Sequence, residues 1–121
     1  MCLVKTHRFP KISRKPIKCY KEVVYRNGNY ETWFTMYPFA LGDIIKSARH
    51  WICGIFCKKL HSEVVHAYLF AFDNTEYMKN YNKCRQYERY IECEIPPFTP
   101  YWISDMGDIG AARIKTIKIV E

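Results

Sequence analysis

Apolar and polar positions divide this chain into a series of strand-like runs. Residues 17–26, IKCYKEVVYR, and 30–36, YETWFTM, are rich in β-branched and aromatic side chains, which suit a pleated, half-buried surface. Asn27-Gly28-Asn29 lies between them. Asn-Gly between two such runs is the strongest short hairpin signal, because both central turn residues must accept positive φ. A β-hairpin is therefore predicted, and Tyr37-Pro38 ends its second strand. Residues 64–72, VVHAYLFAF, are almost continuously apolar, as in a strand buried on both faces. Residues 88–95 alternate instead. Arg89, Ile91, Cys93 and Ile95 share one face, and Tyr90, Glu92 and Glu94 share the other. Pro96-Pro97 stops that strand, and residues 114–120, IKTIKIV, form the last one.

Helical signals are fewer. Asp73-x-x-Glu76 has the form of a capping box, so a short helix is expected from Thr75 to Lys83. Residues 42–60 read two ways. Ile44, Ile45, Ala48, Ile52, Ile55 and Phe56 fit a helical stripe. Gly54 in its middle costs about 1 kcal/mol in a helix, so a strand followed by a loop stays open. The expected fold class is α+β: a small mixed or antiparallel sheet with an N-terminal hairpin and one or two short helices. A length of 121 residues fits one domain.

Charge changes this picture at one end. Residues 1–21 hold Lys5, Arg8, Lys11, Arg14, Lys15, Lys18 and Lys21 and no acid, whereas the remaining 100 residues carry 12 basic and 12 acidic side chains. The net charge of +7 thus belongs to the leading segment. Pro10 and Pro16 disfavour a helix there. Residues 1–16 are expected to form a basic arm, and 17–121 a single α+β domain. Clustered cations attract polyanions, with binding that weakens as salt rises. Lys11, Arg14, Lys15 and Lys18 are the candidate anion-binding residues. Tyr20 is the candidate stacking partner.

Six cysteines stand at positions 2, 19, 53, 57, 84 and 93. The first residues contain no apolar stretch of signal-peptide length, and no run approaches the ~20 residues of a membrane span. Free thiols in a reducing cytoplasm, and no membrane association, are expected. Cys53 and Cys57, with His50 and His61, offer soft ligands for zinc. On a helix, however, His50 and His61 would be about 16 Å apart, so one ion cannot take all four. Two core thiols with flanking histidines explain the same spacing, and no metal is expected. Glu92 and Glu94, about 7 Å apart on one strand face, are a candidate acid–base pair. The same alternation also describes an ordinary wet face.

Two resemblances rest on the C-terminal half. The strand at 64–72 with His66, YIECEIPPFTPYWI at 90–103, the small-residue turn Gly107-Asp-Ile-Gly-Ala-Ala and the final Ile/Lys strand resemble short uncharacterised proteins of gut bacteria and their phages. That likeness implies a compact α+β fold and a phage-related role. ECEIPPF is similar to the region of mono-ADP-ribosyltransferases in which a catalytic Glu precedes an Ile-Pro-Pro stretch. It implies that Glu92 would orient the acceptor or the nicotinamide ribose of NAD. This chain has Tyr90 where that family has its upstream Glu or Gln, and it lacks the Ser-Thr-Ser strand.

The reading ranked first is a small non-enzymatic binding or accessory protein with no cofactor. Its basic arm would contact nucleic acid or an acidic protein surface. An NAD-dependent transferase-like protein using Glu92 is the alternative. A module that binds another protein through the hairpin edge is the third.

Overall fold

A computed structural model describes residues 3–4, 9–32, 36–46, 59–60, 65–68, 75–104 and 108–121. In chain order the strands are β1 (Leu3–Val4), β2 (Lys11–Ile12), β3 (Ile17–Arg26), β4 (Asn29–Glu31), β5 (Pro38–Phe39), β6 (Ile44–Lys46), β7 (Lys59–Leu60) and β8 (Val65–Tyr68). Helix α1 (Thr75–Cys84) follows, then β9 (Glu88–Ile95), β10 (Pro100–Ile103), β11 (Asp108–Ala111) and β12 (Arg113–Ile119). The expected α+β class is corrected. The protein is mostly β, antiparallel at every described pairing, with a single helix among the described residues.

The correction has a local cause. Pro100–Ile103 and Asp108–Ala111 are strands, although the first follows a proline-rich turn and the second contains Gly110. The second has only Ile109 as a strand former, and the first, though Tyr101, Trp102 and Ile103 favour strands, is four residues long and opens on a proline. Pairing supplies what propensity lacks, since β11 sits between β10 and β8. Ile44–Lys46 likewise pairs with β12 as a strand, so the helical stripe does not begin there. Residues 47–58 and Asp73 lie outside the described residues.

The hairpin forms as its turn chemistry predicts. Arg26 pairs with Asn29, and Asn27 and Gly28 take φ of 51° and 81°. Its second strand is shorter than the apolar run that predicted it, ending at Glu31. The outer edge of β4 is then covered by β5, with Tyr30 opposite Phe39.

The main sheet runs β2-β10-β11-β8-β3-β9-β12-β6. Only Ala112 separates β11 from β12, so one stretch of chain passes from the β10/β8 neighbourhood to the β9/β6 neighbourhood. The circuit β11-β8-β3-β9-β12 thereby closes through the chain itself, as at the corners of orthogonal β folds. Ile117 forms a bulge in β12, where the register against β9 slips between Thr116 and Lys118. Such an insertion bends its strand further. Inside the curve, Cys19, Val23, Ile91, Cys93, Ile95, Ile109, Ala111 and Ile114 form a fully buried cluster.

Helix α1 packs on the opposite face of β9. Met78 joins Tyr20, Tyr90 and Val120 in a second core. Asn82 fixes the helix to the sheet. Its Nδ2 donates to the carbonyls of Tyr90 (3.0 Å) and Val120 (2.9 Å), and its Oδ1 accepts from the Tyr90 N–H (2.6 Å). The Tyr81 hydroxyl meets the Glu22 carboxylate at 2.7 Å and also that of Glu88. Burial and then these two carboxylates push the Tyr81 phenol well above its ordinary range. A raised phenol pKa means its contribution is whole below about pH 10 and is lost as pH rises beyond it. Tyr81→Phe is expected to lower stability by about 1–2 kcal/mol at neutral pH, at the low end because the site is partly wet. The variant should also lose less stability than the parent above pH 10. Chemical denaturation across pH checks both, and a variant with an unchanged alkaline profile would remove this role for the phenol.

Candidate anion-binding edge

The leading cations do not behave as one block. Strand β2 pairs through Lys11 with Tyr101 and through Ile12 with Pro100, so Lys11–Ile12 is the outermost described strand at this end of the sheet. Ser13 anchors it, 2% exposed. The Ser13 N–H donates to the Thr99 carbonyl (3.0 Å), and its carbonyl accepts from the Phe98 N–H (2.6 Å). Ser13 Oγ donates to the Pro96 carbonyl (2.6 Å) and accepts from the Thr99 N–H (2.9 Å). Around this anchor, Lys11, Arg14 and Lys15 are exposed, and among the described residues no acid forms an ion pair with them. Cations on an open edge also resist strand addition by another chain.

Lys18 and Lys21 lie on β3, where the pleat sends them to opposite faces. Lys18 Nζ is 3.0 Å from Glu92 Oε1, and this carboxylate raises the Lys18 pKa. Lys21 shares the inward face with Cys19 and Val23 and is buried. Burial lowers its pKa below the ordinary lysine value, while the adjacent Cys93 and Cys19 act the other way. Tyr20 is only 9% exposed and packs in the helix-side core, with Lys18 Nζ 5.9 Å from its ring centre, so little of the ring is left to stack a base. Of the five residues chosen from sequence, Lys11, Arg14 and Lys15 therefore share the edge. Lys18 and Tyr20 belong to another place.

That place is a shallow groove of about 210 Å³ lined by Lys18, Tyr20, Lys79, Glu92, Lys118 and Glu121, among others. One ion pair lies within it, Lys18 to Glu92, while Lys79 pairs with Glu76 on its own helix. Glu92 lies opposite Tyr20 on one side and Lys118 on the other, while Glu94 lies opposite Lys18 and Lys115. Alternating cross-strand Lys and Glu is an ordinary way to stabilise a wet sheet face. Arg89 is not part of it, since its guanidinium sits 4.8 Å from the Tyr25 ring centre. The groove is smaller than the ~300–1,000 Å³ usual for ligand pockets, and its described lining contains neither Arg nor His. It offers no support for seating NAD against Glu92.

Cys53 and Cys57, with His50 and His61, lie outside the described residues. Among the described residues no group of three metal-binding side chains comes together, and no helix is long and apolar enough to cross a membrane. Burial pushes the Cys19 thiol up to about 12 and drives Cys93 well above its ordinary value. Thiols held protonated in this way are poor nucleophiles. No protein-family model matches this chain, and neither the curated proteins nor the solved structures yield a similar protein.

Sequence reading missed Phe98 at this edge. It treated Pro96-Pro97 only as a strand stop. The available signal was an aromatic directly after two prolines, between a strand and Thr99, which places a bulky ring in a turn.

Proposed function

We propose that this protein is a non-enzymatic binding protein whose basic edge, Lys11, Arg14 and Lys15, contacts nucleic acid. The observation that carries the reading is that these three cations are exposed around a buried serine anchor with no ion-paired acid among the described residues. Phosphates meeting them would displace condensed counterions, so affinity is set by charge and falls with salt. The chain's net charge of +7 strengthens the long-range attraction. Glu92, the candidate of the transferase alternative, is held by Lys18 and lies between Tyr20 and Lys118 on neighbouring strands, a pattern of ordinary sheet faces.

Fluorescence anisotropy with a labelled oligonucleotide over a salt series tests this directly. Binding that weakens log-linearly with salt is expected. Lys18→Ala should change that slope little, because Glu92 already neutralises Lys18. Affinity independent of salt, or no binding at low salt, would overturn the reading.

A further inference from the structure

Phe98 occupies a backbone conformation that its side chain disfavours. Its φ is +61°, the left-handed region, in the turn Pro96-Pro97-Phe98-Thr99. A turn with proline in its second position and positive φ in its third normally has glycine there. A bulky residue in that conformation is strained, because its Cβ crowds the backbone. Packing does not offset this, because Phe98 is 75% exposed, the highest value among the described large apolar residues. The fold gains nothing evident from phenylalanine at this position.

The turn is nevertheless firmly held. Besides the Ser13 bonds, Arg113 Nε donates to Thr99 Oγ1 (2.9 Å), and its Nη2 reaches the Pro97 carbonyl (3.3 Å). Thr99 is fully buried. The main-chain bond from the Phe98 N–H to the Ser13 carbonyl holds the backbone of the turn against the residue that precedes Arg14 and Lys15 in the chain. The result is an exposed aromatic side chain on a firmly held turn, whose backbone partner Ser13 is followed in the chain by two exposed cations, Arg14 and Lys15, that pair with no described acid. Preorganisation of this kind lowers the entropy lost on binding.

We propose that this edge binds single-stranded nucleic acid, with Phe98 as the stacking platform for an unpaired base. The inference rests on the polyanion reading above and adds the ligand class. Exposed cations alone recognise any phosphate polymer. A single strand adds what a duplex keeps stacked inside, namely free base faces that an aromatic ring can cover. Lys11, Arg14 and Lys15 would follow the backbone while Phe98 engages a base.

Anisotropy measurements on the full chain with oligo(dT), a duplex of equal length and poly-glutamate separate the possibilities. Phe98→Gly should weaken oligo(dT) binding about ten-fold, leave duplex affinity and the salt slope unchanged, and keep the melting temperature equal or raise it by relieving the left-handed strain. Phe98→Tyr should bind as the parent does, and Phe98→Leu should bind like Phe98→Gly. Equal affinity of the parent for both nucleic acids, a Phe98→Gly protein that binds oligo(dT) normally, or a leucine variant as good as the parent would overturn the proposal. In those cases a salt-dependent affinity would leave the polyanion reading standing. Poly-glutamate competing as well as oligo(dT) would instead assign the edge to an acidic protein. If the parent binds neither nucleic acid at low salt, both ideas fall together.

Discussion

Replacing Lys11, Arg14 and Lys15 together by glutamate is expected to abolish salt-sensitive oligonucleotide binding while leaving the protein folded. Each cation that neutralises a phosphate contributes about 0.7 to the salt slope on single strands and about 0.9 on duplex DNA. Loss of three therefore lowers the slope by about 2 to 3. Reversal adds repulsion to that loss, and the expected drop at low salt is on the order of 100-fold or more. Folding should tolerate the change, because the three side chains are exposed and surface substitutions usually lie within about 0.5 kcal/mol. The buried anchor, Ser13, is left intact. A triple variant that binds as tightly as the parent, with native circular dichroism, would move the site elsewhere.

Trp102→Ala has the largest expected effect on stability. The indole is fully buried on β10, directly opposite Gly110 of β11. Glycine has no side chain, so the register leaves space for the largest residue beside it. On the other face of the same two strands, Ile109 and Ala111 enter the main core, and Tyr101 packs against it. The β10–β11 pair is thus covered on both faces. Truncating a buried Trp to Ala typically removes about 3–5 kcal/mol, against a total of about 5–15 kcal/mol for a domain. The melting temperature should fall by more than about 10 °C. Tyr87→Ala, at a site 54% exposed, should change stability by less than about 0.5 kcal/mol. Calorimetry on both variants checks this, and a Trp102→Ala loss below about 1 kcal/mol would mean the indole lies in no packed interior.

Much of the strand pattern was legible before the fold. The Asn27-Gly28 turn needs two positive φ values, and few residue pairs accept them, so the dipeptide located the hairpin. Alternation located β9, and its Ile91, Cys93 and Ile95 are all buried. The helix from Thr75 was found to within one residue at its end. What failed was the class. Strands such as Asp108–Ala111 owe their state to neighbours on both edges, and a window of sequence contains no information about neighbours. The same holds for the charged block. Lys18 and Lys21 look alike in a count of cations, yet the period of the strand sends one to Glu92 and the other inward.

Local matters are written in the residues themselves: where turns must fall, which strand faces are apolar, and that the excess positive charge sits in the leading segment. These depend on a residue's own sterics, period and ionisation. Which cations stay without an acidic partner, that Tyr20 is covered, and that Phe98 stands exposed on a turn held to Ser13 became visible only in the fold. Each of those outcomes requires residues some 80 positions apart, such as Ser13 and Thr99, to meet across strands. Burial and ion pairing are properties of that meeting rather than of either partner.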